Sequence, residues 1–197
     1  MVAERTSAGS AWQQNMRAAE PMARHTSWRT GGNAEFWFKP SSRDELLEFL
    51  RNTDNDTPLH WVGLGSNLLV RDGGIRGVAV CVQDALTAIE DLGNGRMAAG
   101  AGAACTVFAR QCVRRNLGPA EFFAGIPGTI GGALAMNAGA FGGETWAQVQ
   151  SVEVVNRQGE VRVRTPDDYQ VGYRHVSGPA DEWFLGAVFA FEEGYAT

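Results

Sequence analysis

Along most of this chain apolar residues come in short runs or alternate with polar ones, and only three stretches space them at intervals of three and four. The first, residues 11–19, predicts a short helix behind a frayed or tag-like start, stopped by Pro21. A loop over residues 25–32 then leads to an aromatic strand at 34–38, ended by Pro40. Ser42 and Glu45 have capping-box spacing, and Leu46, Leu47, Phe49 and Leu50 give the next helix an apolar face as far as Asn52. Residues 59–63 predict a short strand, 68–70 another and 78–82 a buried one, with a turn at Asp72, Gly73 and Gly74. Residues 86–91 and 96–100 flank Gly93, Asn94 and Gly95, a hairpin signal. The third helical stretch, 106–116, is closed by Gly118. Residues 149–156 and 160–164 pair around Gln158 and Gly159, 166–169 turn, and 184–191 form the last strand. The pattern predicts an α+β fold, rich in strands, with helices interspersed singly and no internal repeat.

One stretch fits neither period. Glycine recurs at 125, 128, 131, 132, 139, 142 and 143, interleaved with Ile126, Ile130, Leu134, Met136 and Phe141. Each glycine inside a helix costs roughly 0.5–1 kcal/mol relative to alanine, so this density argues against a core helix. Glycines grouped this way let backbone approach a flat or charged group and expose its N–H donors. Pro127 fixes a bend, and Asn137 brings an amide that both donates and accepts. Such an apolar, glycine-lined wall suits a planar aromatic cofactor. A second glycine turn, Gly63, Leu64, Gly65, Ser66 and Asn67, follows a strand and can nest an anion, with Ser66 and Asn67 adding bonds to phosphate oxygens. It lacks the Lys-Ser/Thr of a P-loop and the third glycine and helix of a dinucleotide fingerprint. A diphosphate site and a flat-ring site together describe a dinucleotide.

Composition narrows the partners. The 197 residues make one domain or two small ones with a real core. A net charge of −5 argues against a general nucleic-acid binder. Lys39 is the one lysine, so a cation that meets phosphate or carboxylate is expected to be an arginine. Cys81, Cys105 and Cys112 are an odd set without C-x-x-C spacing, which predicts reduced thiols, no zinc and no disulfide framework. With no signal peptide and no run of eighteen apolar residues, the expectation is a soluble cytoplasmic protein with neither membrane nor metal among its partners.

The blocks His25-Thr-Ser-Trp-Arg-Thr-Gly-Gly32, Gly63-Leu-Gly-Ser-Asn-Leu-Leu-Val70, Gly125-Ile-Pro-Gly-Thr-Ile-Gly-Gly132, Met136-Asn-Ala-Gly-Ala140 and Tyr173-Arg174 occur in one order. In that order they resemble the UDP-N-acetylenolpyruvoylglucosamine reductase family, from about His25 to Phe191. The resemblance implies an FAD-binding fold of the vanillyl-alcohol-oxidase (PCMH) type. An N-terminal extension at 1–22 would precede two α+β FAD-binding subdomains, 23–84 and 85–197. It further implies that Gly63, Leu64, Gly65, Ser66 and Asn67, with Leu68 beside them, hold the pyrophosphate of FAD. Gly125, Ile126, Pro127, Gly128, Thr129, Gly131, Gly132, Asn137, Ala138 and Gly139 would then pass along the flavin. The histidines, His25, His60 and His175, lie outside the glycine blocks, so the FAD is expected to be non-covalent, and His60 reads as a satisfied core or surface residue.

The chemistry implied is reduction of UDP-N-acetylglucosamine enolpyruvate to UDP-N-acetylmuramate, with NADPH as hydride donor, in peptidoglycan synthesis and hence in cell-wall biogenesis, cell shape and division. Arg174 matches the family's active-site arginine, a planar cation suited to charge developing on the enolpyruvyl carboxylate, and Tyr173 would line the substrate pocket. The family's serine acid and late glutamate belong to a substrate-binding domain that the sequence, read to Thr197, is expected to lack. Ser177 is not a substitute for that acid, since nothing nearby activates it. A flavin-binding module without turnover is therefore the second reading, and an alcohol or sugar oxidase of the same fold the third. The expected partner is a UDP-sugar and the expected state a monomer.

Overall fold

Residues 11–195 are described by the computed structural model, so the expected frayed or tag-like start lies outside them. The chain divides into two units: residues through Ala85 with Arg157–Glu160, and Leu86–Asn156 with Val161–Thr197.

The first unit holds β1 (Met16–Pro21), β2 (Asn33–Phe38), α1 (Arg43–Asn52), β3 (Leu59–Val62) and β4 (Ile75–Cys81). Its sheet runs β1-β2-β4-β3, with β1 antiparallel to β2 and the other pairs parallel. Val78, Ala79 and Val80 are fully buried, because central β4 is covered on both faces; that is why it reads as an unbroken apolar run. On one face Phe38 stacks on Phe49 of α1 with 4.2 Å between ring centroids, and Trp12 meets both rings edge-on. On the other, Met22, Trp37, Val62, Val70 and Ala79 pack together.

Helix α1 starts where Ser42 accepts a bond from Glu45 N–H at 3.2 Å. The reciprocal half of the expected capping box is different. Glu45 reaches one residue further back and accepts from Ser41 N–H at 2.7 Å and the Ser41 hydroxyl at 2.6 Å, and it also takes Asn15 Nδ2 at 2.7 Å. Burial pushes the Glu45 carboxyl up, but the bonds from Ser41 and Asn15 outweigh it and hold the group below its usual range.

Two expectations in this unit are corrected. The helix expected at 11–19 is a 3₁₀ turn at Ala11–Asn15 followed by β1, because pairing with the edge of β2 outweighs the local alanine content. Residues 68–70 are not a strand. Val70 is buried against Gly31, whose missing side chain makes room for it, and the Gly32 N–H bonds Arg71 O at 3.0 Å, so one loop lies on another.

The second unit begins with β5 (Ile89–Gly93), β6 (Arg96–Gly100), α2 (Cys105–Val113), β7 (Leu117–Gly118) and α3 (Ile130–Met136). There follow β8 (Gly139–Ala140), β9 (Gly143–Glu144), β10 (Val149–Asn156), β11 (Val161–Arg164), β12 (Gln170–Gly172), β13 (His175–Ser177), β14 (Glu182–Ala190) and β15 (Glu192–Glu193). The main sheet is antiparallel in the order β11-β10-β14-β6-β5. Asn94 and Gly95, at φ 52° and 72°, make the two-residue turn between β5 and β6 that the strand twist favours. Phe108, Phe123, Phe189, Ile130 and Leu134 are fully buried at its core, with Phe108 edge-on to Phe123 at 5.1 Å.

Helix α2 ends at Val113, and Asn116 at φ 53° takes the left-handed turn assigned to Gly118; Gly118 instead lies in β7 and pairs with β15, so β14 is not the last strand. The glycine stretch does contain a helix, α3, because Gly131 and Gly132 fall in its first turn and not in its interior. The β12–β13 hairpin, paired through Val171 and Val176, was not foreseen.

Candidate functional site

In the first unit the carboxyl end of β3 runs into the 63–67 turn. Gly65 is buried at φ 67°, and a Cβ there would fall on the His25 carbonyl oxygen. Ser27 N–H bonds Gly65 O at 3.1 Å, and Gln83 Nε2 bonds Gly63 O at 2.5 Å. The glycine is therefore required by the chain itself, where the sequence had suggested a ligand. Leu64 and Asn67 are exposed, and Ser66 and Leu68 are half-buried.

Beside the turn, at the carboxyl ends of the parallel strands, lies a cavity of about 480 Å³ whose lining includes Arg24, His25, Arg29, Trp37, Lys39 and Leu64. Three cations and a strand-end position suit a phosphate-bearing ligand. Lys39 is paired with Asp84 at 2.7 Å. The His25 ring stacks on Trp37 at 3.9 Å and its Nε2 is 2.8 Å from Glu20 Oε1. Arg24, Arg29 and Lys39 were not among the sequence-derived site residues, although Arg29 stands inside the His25–Gly32 block. His60 is exposed on the edge strand β3 with Nε2 at 3.1 Å from Arg76 O, and His175 is exposed in β13.

In the second unit the glycine stretch separates into two faces. Ile126, Ile130, Ala133 and Leu134 point into the core, while Gly125, Pro127, Gly132, Ala135 and Gly139 are exposed. That face is open around Gly132, while at Gly125 the exposed Phe141 ring stands where a Cβ would be. Gly132 is not demanded by packing, since an added Cβ would meet only Thr129 Oγ1 at 3.6 Å. Several of the N–H groups that the sequence offered to a ligand are engaged internally. Ile130 N–H bonds Ala103 O at 2.9 Å, Gly131 N–H bonds Ala101 O at 2.8 Å, and Gly132 N–H bonds Thr129 Oγ1 at 3.3 Å. In return Gly128 O accepts from Cys105 N–H at 3.0 Å, capping α2, whose Ala104 offers no side-chain cap. The wall is consequently pinned in place, and it presents surface more than donors.

Asn137 ends α3 in the left-handed conformation and is buried. Its Nδ2 donates to Glu144 Oε2 at 3.0 Å and to Gly172 O at 3.2 Å, and its Oδ1 accepts from Trp146 N–H at 3.0 Å. Ala138 O takes two bonds from Thr145. Tyr173 and Arg174 form the tip of the β12–β13 hairpin, Tyr173 85% exposed and Arg174 at φ 50°. Cys105 and Cys112 are buried, and that burial pushes both thiols up to about 12; burial raises Cys81 as well. Among the described residues no three His, Cys, Asp or Glu are gathered to hold a metal, and no helix is long and apolar enough to cross a membrane.

A UDP-N-acetylenolpyruvoylglucosamine reductase from Alkalilimnicola ehrlichii is 57% identical over 92% of this chain and 60% of its own length. The solved reductase of the same name from Thermus caldophilus matches with a TM-score of 0.76 and 28% identity, over 90% of this chain and 63% of that one. This chain therefore spans about three-fifths of the curated relatives it matches. A solvent-stable cholesterol oxidase, 16% identical with a TM-score of 0.61 over 95% of this chain and 40% of its own, shares the fold alone, which is of the PCMH type. Residues 34–164 match the FAD binding domain family, and the chain belongs to it.

Proposed function

We propose that this chain is the FAD-binding part of an enzyme that reduces UDP-N-acetylglucosamine enolpyruvate to UDP-N-acetylmuramate. The observation that carries this is the second unit's exposed face of glycine and alanine, open at Gly132 and bonded through Asn137 to the hairpin that presents Tyr173 and Arg174. The residues present fit the cofactor. Gly132 leaves open the space that a side chain would fill, and the cavity beside Gly63 and Leu64 is lined by Arg24, Arg29 and Lys39, suited to a diphosphate. The first unit would hold the pyrophosphate at Gly63, Ser66 and Asn67. The second would lie along the flavin with Gly125, Pro127, Gly132 and Gly139. Bound FAD supplies the hydride relay, from NADPH to C3 of the enolpyruvyl ether.

Arg174 holds its guanidinium toward the substrate carboxylate, where negative charge grows in the transition state, and stabilises it electrostatically. Tyr173 covers the substrate. The proton for C2 is not assigned to any residue of this chain. The reaction would serve peptidoglycan synthesis in the cytoplasm, and with it cell shape and division, with the enzyme acting as a monomer on a UDP-sugar.

The test is the visible spectrum of the purified chain, taken before and after denaturation and filtration. Oxidised-flavin bands that pass the filter establish a non-covalent flavin site; a chain that stays colourless in added FAD removes the proposal. In a full-length parent that carries these residues, Arg174→Lys is then expected to slow flavin reoxidation by the enolpyruvyl substrate more than flavin reduction by NADPH. Equal slowing of the two would undo the role given to Arg174.

A further inference from the structure

We infer that Asn137 is a positioning residue, holding the Tyr173–Arg174 tip in register with the glycine face through its bond to Gly172. This rests on the flavin reading above. The β12–β13 hairpin is paired at only three positions, Gln170 with Ser177, Val171 with Val176, and Gly172 with His175. A two-stranded hairpin of that size is marginal in water by itself. Its base is anchored, since Tyr169 and Val176 pack against the core and Tyr169 lies 4.7 Å from Trp146. Its tip is exposed on both strands, and Arg174 occupies a left-handed conformation that a non-glycine residue keeps only when its surroundings impose it.

Asn137 supplies that constraint at the right place. Gly172 is the last residue before the tip, and its carbonyl accepts from Asn137 Nδ2 at 3.2 Å. The second proton of the same amide goes to Glu144 Oε2, and Oδ1 takes the Trp146 N–H, so the side chain is fixed from three directions at 4% exposure. With both donors engaged, this amide is not a donor to a ligand in this arrangement. The residue that ends the glycine-bearing helix is thereby the one that sets where the arginine stands.

Trypsin reads this directly, because Arg174–His175 is a cleavable bond that is protected only while the tip is ordered. Asn137→Asp keeps the left-handed preference and the Oδ1 acceptor for Trp146 but loses both donors and sets a carboxylate beside Glu144. Asn137→Ala removes all three bonds. Both variants are expected to raise cleavage after Arg174 about tenfold, the effect of one buried hydrogen bond, while cleavage after Arg96 and Arg110 is unchanged. In a full-length parent that carries these residues, Asn137→Asp should also slow flavin reoxidation by the enolpyruvyl substrate about tenfold and leave reduction by NADPH nearly unchanged. Wild-type cleavage in the Asp variant would overturn the inference in favour of a purely local helix cap. Cleavage raised alike at all three arginines would overturn it in favour of a general scaffold role. If the wild-type chain holds no flavin, the flavin reading fails, and the cleavage comparison still decides the role of Asn137.

Discussion

Replacing Gly65 by alanine separates a glycine kept for the fold from one kept for a ligand. At φ 67° an L side chain costs roughly 1–2 kcal/mol from its own backbone. The new Cβ would also fall on the His25 carbonyl oxygen and stand 3.0 Å from Thr26 Cα, both of them backbone that no rotamer change can clear. The 25–32 loop must move away, and the 3.1 Å bond from Ser27 N–H to Gly65 O goes with it, another ~1 kcal/mol. Together these come to about 2–3 kcal/mol, or a fall in melting temperature of roughly 4–12 °C for a chain of this size. Gly132→Ala is the internal control. Its methyl meets only Thr129 Oγ1 at 3.6 Å, and in a helical turn alanine is worth roughly 0.5–1 kcal/mol over glycine, so melting should be unchanged or slightly raised. Melting is followed by circular dichroism on flavin-free protein, because bound ligand would stabilise each variant in proportion to its own affinity. Flavin absorbance per protein after desalting is the second readout: Gly65→Ala is expected to lose flavin together with stability, because the displaced 25–32 loop lines the cavity given to the diphosphate, whereas Gly132→Ala, whose methyl stands on the exposed face, loses flavin without losing stability. A flavin-free Gly65→Ala chain that melts with wild type would refute the steric reasoning. Full flavin in Gly132→Ala would refute the wall.

Further outcomes follow from the same geometry. Asn67→Ala is expected to lower flavin retention with little change in melting, read by absorbance after desalting, because Asn67 is exposed on the turn assigned to the pyrophosphate. Glu45→Gln removes the charged acceptor of Ser41 and Asn15 and should cost about 1–3 kcal/mol in urea denaturation at pH 7. Because folding depresses this carboxyl, its contribution is present above its ordinary value of 4.5 and is lost as pH falls through the folded value, so the gap between variant and wild type should close in acid. Cys105 and Cys112 should resist iodoacetamide at pH 8 in the folded chain and react in urea. Their folded values near 12 against an ordinary 9.0 also predict stability that falls as pH rises from about 9 toward 12, measured as a declining urea midpoint.

Helix α1 and the β5–β6 and β10–β11 hairpins were legible in the sequence because each is specified by its own residues: a serine cap and an apolar stripe, or two runs around a glycine turn. What misled was decided by partners distant in sequence. Residues 16–21 became a strand because β2 offers them an edge. The helix α3 could form because Thr129 and Ala101 take up the N–H groups of its first-turn glycines. The site divides in the same way. Its glycine blocks could be read from the sequence, but Arg24, Arg29 and Lys39 are gathered only once β2, β3 and β4 end side by side, and no local pattern announces that. Nor does a motif reveal why it is small. Gly65 and Gly132 look alike in the sequence, yet a methyl on the first strikes the chain's own backbone and a methyl on the second enters open space. Only the first is therefore demanded by the fold itself. Asn137 makes the converse point, for an amide that the sequence offered to a cofactor proves to be bonded on every side by its own fold, and it acts on the site through the hairpin it holds.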